Sequence, residues 1–265
     1  MASTGDSEHK HDPRNRPEHI EGGGRPEGRE EHATVRDLVA VYPWLPPVFG
    51  LILVALGAWA FAEITEQVYQ HGPLLALDER LLERIATLRT PVLVGVFGVV
   101  TYAGDSLVVL PVAAITGILL VRPMRSWTPL LLLAATSVGA YLTVFLIKLL
   151  IARPRPIPAP NAATEDSFAF PSGHSAHSAA VYLMIAILLL RLLHSWWGRT
   201  TVLAATLLIV VITGISRLVL GVHSPSDVLA GWILGASLTV LLVSLWRLSS
   251  YLPPLMTYLV RHARR

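Results

Sequence analysis

The chain lacks cysteine altogether among its 265 residues, and only 15% of them are charged. Without cysteine the protein cannot form disulfides, use a thiol nucleophile or hold a metal through thiolates. With 53% hydrophobic residues and a mean hydropathy of +0.56, it has too few polar side chains to cover a soluble domain of this size. The net charge is only +3, and most arginines lie beside apolar runs, which argues against nucleic-acid binding. The composition therefore predicts a polytopic membrane protein.

The two ends of the chain differ from the apolar middle. Residues 1–36 are rich in Glu, Arg, His, Gly and Pro and nearly free of large apolar side chains, so we expect a disordered cytoplasmic tail. This tail has no apolar run of the kind that a cleavable signal peptide needs, and its histidines are too irregularly spaced to indicate a metal site. Residues 249–265 are expected to form a second, basic tail.

Six apolar stretches lie between the tails. They cover residues 45–64, 106–121, 128–150, 175–193, 201–216 and 228–246. Each is close to the length of about 20 residues that a helix needs to cross the hydrocarbon core. The predicted fold is therefore all-α, with a domain of six transmembrane helices over residues 37–248.

A seventh apolar piece, residues 91–104, is too short to span comfortably and follows the amphipathic, charged segment 77–89. We interpret the two segments as an interfacial helix and a buried turn. Asp105 or Ser106 then has the side chain needed to cap the next helix.

Arginines in the short loops predict the orientation of the domain. If the N-terminus is inside, the inside segments carry most of these arginines, as the positive-inside rule requires. They are Arg122, Arg125, Arg191, Arg199, Arg247, Arg261, Arg264 and Arg265. Both termini are then cytoplasmic, and the segments 65–105, 151–174 and 217–227 lie on the extracytoplasmic face.

The first of three polar blocks on that face is "KLLIARPRP", which begins near the end of the third span. Pro154 and Pro156 end the helix and hold the chain extended. In an extended chain Arg153 and Arg155 point in opposite directions, so only one of them is expected to face a given site. Lys148 is a candidate ligand, although an interfacial lysine that reaches towards water is an equal alternative.

The second block, "FPSGHSAHS", opens the fourth span. Ser172 is suited to cap this helix, and Gly173 allows a ligand to approach the backbone N–H groups closely. The unpaired N–H groups and positive dipole end of a helix N-terminus favour a bound anion. His174, in the first turn, is placed to donate a proton to such an anion. The alternative is a plain helix cap beside an interfacial histidine.

The third block, "SRLVLGVHSPSD", joins the fifth and sixth spans. The segment Ser224–Asp227 fits a capping box with Pro225 at the first helical position, so Asp227 has a structural explanation. A capping box requires neither His223 immediately before it nor Arg217 six residues earlier.

Together the three blocks indicate phosphoryl chemistry. They bring three cations (Lys148, Arg155 and Arg217), two histidines, a carboxylate and a helix N-terminus to one membrane face. Three cations match the equatorial oxygens of a transferring phosphoryl group. Two histidines suit a nucleophile and a general acid, and a carboxylate can orient the nucleophile. This is the chemistry of a metal-independent phosphatase.

At these residues the chain resembles the type 2 phosphatidic acid phosphatase family, which also includes vanadium haloperoxidases. The family signature is K-x6-R-P, then P-S-G-H, then S-R-x5-H-x3-D. This sequence matches it with Lys148, Arg155 and Pro156, with Pro171, Ser172, Gly173 and His174, and with Ser216, Arg217, His223 and Asp227.

The resemblance implies a role for each matched residue. His223 is expected to attack phosphorus and form a phosphohistidine, Asp227 to orient it, and His174 to protonate the leaving oxygen. The phosphoryl oxygens are expected to bind Lys148, Arg155, Ser172, Gly173 and Arg217, and no cofactor or metal is implied. Arg153 lies outside the signature, as a residue behind these ligands or at the membrane surface. His177 is assigned to close helix packing.

Bacterial membrane members of the family act on lipid phosphates such as undecaprenyl diphosphate, phosphatidylglycerol phosphate and phosphatidic acid. The resemblance thus implies a lipid phosphate substrate for an enzyme of a bacterial cytoplasmic membrane, with an extracytoplasmic active site. The segment 161–170, with Glu165 and Asp166, is the expected specificity loop. The sequence says nothing of the oligomeric state.

Four alternatives remain open at this stage. One is a metal-dependent hydrolase with His174, His177, His223 and Asp227 as ligands, although three nearby cations would repel the metal. Another is a transporter or lipid flippase, which would place the charges nearer mid-membrane. A lipid phosphotransferase of the same fold is the third. The fourth is haloperoxidase chemistry, which the six apolar spans disfavour.

Overall fold

The computed structural model describes residues 42–156 and 167–250, and its regular elements are all helices. Within those residues there are eight α-helices and one 3₁₀ turn, Thr101–Gly104, between α3 and α4. The α-helices are α1 (Leu45–Tyr69), α2 (Pro73–Thr87), α3 (Pro91–Val100), α4 (Ser106–Met124), α5 (Thr128–Ile151), α6 (Gly173–Leu189), α7 (Trp196–Val219) and α8 (Pro225–Ser249). The predicted all-α membrane fold is confirmed.

Five of these helices are long and apolar enough to cross a membrane, namely α1, α4, α5, α7 and α8. The matching predicted stretches all lie inside them. Helix α6 is apolar but has only 17 residues, fewer than the roughly 20 that a full span needs. The predicted stretch 175–193 runs past its end at Leu189.

Helices α2 and α3 replace the predicted interfacial helix and buried turn. Both are short, and the axis bends by 117° between them. The amphipathic part is confirmed as a helix, and Asp78 is its one buried residue. The burial predicted for residues 91–104 is wrong over α3, which has no buried residue and exposes Val92, Val96 and Val99, although Gly104 in the 3₁₀ turn is buried. In a membrane protein such valines can face lipid, so their apolar character does not require a protein neighbour.

The centre of the bundle is the contact between α6 and α8, which glycines bring close together. A Cβ on Gly231 would lie 2.6 Å from the carbonyl oxygen of Ser172, and one on Gly235 would lie 2.3 Å from that of Ala176. One turn further on, the Thr239 hydroxyl donates to the carbonyl oxygen of Ala180 at 2.8 Å. Small residues four apart permit this approach in membrane helices.

Two left-handed turns lead the chain from helix ends into the polar region. Gly221, at φ 73°, ends α7 two residues before His223. Ala152, at φ 48°, ends α5, and its N–H donates to the carbonyl oxygen of Lys148 at 2.9 Å. Glycine adopts this conformation without strain, whereas an alanine there costs about 1–2 kcal/mol.

Three sequence predictions fall outside the described residues. These are the disordered tail 1–36, most of the basic tail 249–265, and the part of the specificity loop that carries Glu165 and Asp166.

Candidate active site

The structure brings the three polar blocks together at one end of the bundle. The block that begins at Lys148 follows from the end of α5, the second block opens α6, and the third joins α7 to α8. A direct link is the backbone N–H of Ser172, which donates to the carbonyl oxygen of Asp227 at 3.0 Å. The charged groups therefore lie at helix ends, and not half-way along the spans as the transporter alternative requires.

His223 and Asp227 form a buried pair. His223 is 1% exposed and Asp227 0%. The Nδ1 atom of His223 lies 3.4 Å from Oδ2 of Asp227, and its Nε2 atom lies 3.1 Å from a guanidinium nitrogen of Arg155. A guanidinium can only donate hydrogen bonds, so Nε2 must be the unprotonated nitrogen and Nδ1 must carry the proton. In this tautomer the lone pair for attack on an electrophile lies on Nε2, where it accepts from Arg155 until that N–H turns away.

The surroundings of His223 keep the imidazole neutral. Burial lowers its pKa to about 3, and the carboxylate of Asp227 opposes this shift only in part. A neutral imidazole is the form that acts as a nucleophile, since protonation would occupy the attacking lone pair.

Asp227 also caps α8, as the sequence indicates. Its Oδ2 accepts the backbone N–H of Ser224 at 2.8 Å within a capping box, and a proline opens the helix. The structural explanation of this residue is thus confirmed, and its chemical role stays a prediction. The cap holds the carboxylate in one orientation beside His223.

Two of the predicted phosphate ligands converge on Ser167. Its hydroxyl accepts from Lys148 Nζ at 3.1 Å and from Arg155 at 3.0 Å. Lys148 also donates to the carbonyl oxygen of Phe168 at 2.5 Å, and Arg155 donates to those of Ser167 and Val222 at 2.6 and 2.8 Å. An anion at this point would meet both cations.

Arg217, the third cation, approaches from α7 and is 3% exposed. It donates to the hydroxyl of Thr101 in the 3₁₀ turn at 2.6 Å and is close enough to Arg155 and Asp105 to interact electrostatically. The short 3₁₀ turn therefore fixes one wall of the charged region.

His174 lies on a cavity of about 220 Å³ beside this cationic cluster. The cavity is lined in part by Lys148, Ser167 and Gly173 and on its apolar side by Val144 and Phe145. This lining of both polar and apolar side chains suits a lipid phosphate, whose phosphate is charged and whose remaining part is apolar.

Asp105 is a neighbour of His174 that sequence reasoning did not foresee. The structure confirms Asp105 as the cap of α4, where it accepts the N–H of Leu107 at 2.8 Å. Its other oxygen, Oδ2, lies 3.7 Å from Nε2 of His174. The sequence offered no signal for this second contact, because the residues are far apart along the chain.

The two remaining predicted ligands differ in exposure. Gly173 lines the cavity, where a Cβ would meet Val144 at 3.6 Å. Ser172 caps α6 as predicted but is 0% exposed, and its hydroxyl bonds to that of Ser175 at 3.0 Å. Ser172 accepts in this bond, so its own hydroxyl proton is not used there, and its phosphate role stays a prediction.

Arg153 faces the back of the site, opposite to Arg155. It donates to Oδ1 of Asp227 at 2.6 Å and to Oδ2 of Asp78 at 2.9 Å. The alternative of a membrane-surface residue is wrong, because only 13% of this side chain is exposed. Asp78 was missed entirely, since a carboxylate on an amphipathic helix ordinarily faces water.

The metal-dependent alternative lacks its ligand set. Among the residues that the structure describes, no three His, Asp or Glu side chains lie close enough to share a metal ion. The four residues named for that alternative are all described. His177 lies in α6 with its ring stacked on Tyr141 at 6.2 Å between centroids, which fits the packing role predicted for it.

Known proteins are similar to this chain in sequence and in fold. Residues 129–250 match the PAP2 superfamily. Phosphatidylglycerophosphatase B of Bacillus subtilis is 36% identical over 159 residues, which are 60% of this chain and 77% of that protein. The crystal structure of a transmembrane PAP2-type phosphatidylglycerolphosphate phosphatase from Bacillus subtilis superposes with a TM-score of 0.66 at 32% identity, over 72% of this chain and 94% of that one. The crystal structure of Aquifex aeolicus LpxE gives a TM-score of 0.47 at 22% identity, over 63% and 94%.

Proposed function

Since this chain belongs to the PAP2 superfamily and is an integral membrane lipid phosphatase, we propose that it hydrolyses a lipid phosphate through a phosphohistidine on His223, without a metal. The observation that carries the proposal is the buried pair of His223 and Asp227. Its tautomer leaves Nε2 unprotonated beside Arg155, at a point that cations surround.

The first half of the reaction forms the phosphoenzyme. Lys148, Arg155 and Arg217 bind the phosphoryl oxygens, and the N–H of Arg155 that faces Nε2 turns to an incoming oxygen. Nε2 attacks phosphorus while the bond from phosphorus to the lipid oxygen breaks, and the imidazole becomes positively charged. The carboxylate of Asp227 stabilises that charge through Nδ1–H, at a contact that shortens from 3.4 Å.

Proton transfer at the leaving oxygen completes this half. His174 donates a proton to the departing alkoxide, and Asp105, at 3.7 Å, stabilises its protonated form. Water then attacks the phosphohistidine and gives its proton to His174, which releases inorganic phosphate and restores His223. In this mechanism the protons come from His174 and from water, the charges come from side chains of the protein, and no step uses a metal.

The proposed substrate is a phosphate monoester on a lipid headgroup, with phosphatidylglycerol phosphate as the first candidate. The Bacillus subtilis relative at 36% identity and the Bacillus subtilis crystal structure at 32% identity both carry names for that activity. The cavity beside His174 supports this choice, because apolar side chains of α5 line it where the leaving headgroup would lie. Undecaprenyl diphosphate and phosphatidic acid are the competing candidates.

The proposed orientation is that of the sequence analysis, with the site on the extracytoplasmic face. The polar blocks share one end of the bundle. The arginines Arg122, Arg125 and Arg199 lie at the opposite end, where α4 ends and α7 begins, as the positive-inside rule requires of the cytoplasmic face. A cysteine introduced at Ser167 and labelled by an impermeant reagent from outside intact cells would test this assignment. The chain has no cysteine of its own to interfere.

The decisive experiment measures phosphate release by the purified protein in detergent, with EDTA present. The three lipid phosphates are offered separately, and a brief acid-free quench at high pH preserves any phosphohistidine formed from labelled substrate. We expect release that EDTA does not affect and a labelled enzyme, both lost in His223→Ala. Label transferred to an added alcohol in place of water would favour the phosphotransferase.

Two outcomes would contradict the proposal. Release that EDTA abolishes would require a metal, and release that survives His223→Ala would require another nucleophile. His194→Ala is the matched control, because His194 lies between α6 and α7, at the opposite end of the bundle.

A further inference from the structure

Asp78 is a buried carboxylate that neither the family signature nor the proposed reaction uses. It is 2% exposed and is the one buried residue of α2. Its Oδ1 accepts the backbone N–H of Ser226 at 2.9 Å, and its Oδ2 accepts both the Ser226 hydroxyl and Arg153. A buried carboxylate is costly unless it is paired. The partners of this carboxylate are Ser226, in the first turn of α8, and Arg153, which also binds Asp227 in that turn.

Arg153 connects Asp78 to the reacting pair. One guanidinium nitrogen lies 2.9 Å from Asp78 Oδ2 and the other 2.6 Å from Asp227 Oδ1. The fork geometry of arginine permits two carboxylates to be held at once, which a lysine ammonium does less well. The charges alternate along the series from Asp78 through Arg153 and Asp227 to His223, which becomes positive on attack.

We propose that Asp78 and Arg153 are positioning residues that hold Asp227 against His223 and set its charge for catalysis. This inference rests on the proposed phosphohistidine mechanism. Arg153 fixes the orientation of the Asp227 carboxylate, whose other oxygen faces His223. Asp78 balances the charge of Arg153, so that Asp227 keeps its full negative charge available to the imidazolium.

The geometry also separates this network from substrate binding. Lys148 and Arg155 meet at Ser167, in front of His223, whereas Arg153 contacts Asp227 from the other side. A defect in the network should therefore lower kcat and leave KM for the lipid nearly unchanged. It should also reduce the amount of phosphohistidine formed in the first turnover.

A cavity beside Arg153 gives the test a readout that loss of folding cannot produce. Arg153 lines an open cavity of about 270 Å³ together with Val68, Leu75 and Pro154. In Arg153→Ala a small cation can enter from this side and occupy the place of the lost guanidinium. We expect the variant to lose roughly 100-fold in kcat and to regain at least tenfold on addition of millimolar methylguanidinium.

The second variant, Asp78→Asn, keeps the shape of the side chain and removes its charge. We expect a tenfold or larger fall in kcat with KM within twofold of wild type. Glu79→Gln, on the exposed neighbour in α2, is the matched control and should retain wild-type kcat. Thermal unfolding in detergent is measured for all variants, so that kcat is compared only among folded proteins.

The inference and the proposed mechanism fail in different ways. If His223→Ala retains activity, the mechanism is wrong. If His223→Ala is inactive while folded Asp78→Asn and Arg153→Ala both keep kcat within threefold of wild type, the positioning role is wrong. The role is also refuted if Arg153→Ala is folded but slow and methylguanidinium raises its rate no more than that of wild type.

Discussion

Replacing Gly235 by alanine is expected to disturb the site from a distance of more than two helical turns. Gly235 lies in the middle of the contact between α6 and α8. The new Cβ would lie 2.3 Å from the carbonyl oxygen of Ala176 and 2.9 Å from the backbone nitrogen of Ala180. Both are backbone atoms of a helix and cannot turn away, so the two helices must separate by about 1 Å to reach an ordinary contact.

This separation acts on both catalytic histidines. Helix α6 carries His174, and α8 begins just after His223, with the two elements joined by the bond from Ser172 N–H to Asp227 O at 3.0 Å. A displacement of about 1 Å between acid and nucleophile is enough to reduce the rate roughly 100-fold. Overpacking should also lower the free energy of unfolding by about 1–3 kcal/mol.

The assay compares kcat for lipid phosphate release and thermal unfolding in one detergent. Gly98→Ala is the matched control, since a Cβ there meets nothing within 4 Å and alanine favours a helix by about 1 kcal/mol over glycine. The control should be active and at least as stable as wild type. If Gly235→Ala matches Gly98→Ala in both measurements, the close contact does not position the site.

Three further predictions concern groups within the site. Asp105→Asn keeps a good helix cap but removes the charge beside His174. The rate with a lipid alkoxide leaving group should fall about tenfold, whereas hydrolysis of p-nitrophenyl phosphate, whose leaving group needs no proton, should hardly change. An equal loss with both substrates would contradict the role of Asp105. In Arg155→Lys the single ammonium cannot reproduce the guanidinium fork that joins Ser167 to Nε2 of His223. We expect kcat/KM in the phosphate-release assay to fall by about two orders of magnitude. A fall of less than threefold would show that a point charge suffices. Burial lowers the pKa of His223 from 6.5 to about 3, so in that window the unfolded chain binds a proton that the folded protein does not. The contribution of His223 to the free energy of unfolding is complete above about pH 6.5 and declines as the pH falls, by at most about 1.4 kcal/mol per pH unit. The unfolding temperature of wild type should therefore drop more between pH 6.5 and 4 than that of His223→Asn. Parallel curves of unfolding temperature against pH for the two proteins would refute this prediction.

The sequence alone was sufficient for the membrane class and for five of the six spans. Apolar length is a local property that the bilayer reads directly, so no tertiary information is needed. The family was also accessible, because the signature residues keep fixed spacings around helix ends. The helix caps Asp105, Ser172 and Ser224 follow from the same local chemistry.

The burial of α3 was predicted wrongly, because the apolar length of a segment does not show what the segment faces. An apolar segment of ten residues has the same pattern whether it faces protein or lipid. Only its packing shows that Val92 and Val99 lie outside the bundle.

The sequence by itself determined that this protein is a membrane phosphatase and which residues are candidates for its chemistry. The tertiary structure decided which nitrogen of His223 is unprotonated, because that depends on the approach of Arg155 from 68 residues away. It likewise decided that Asp78 is buried against Ser226 and does not face water, since these two residues are 148 positions apart. Contacts between residues so far apart along the chain leave no periodic pattern, and their energies arise only when the helices pack.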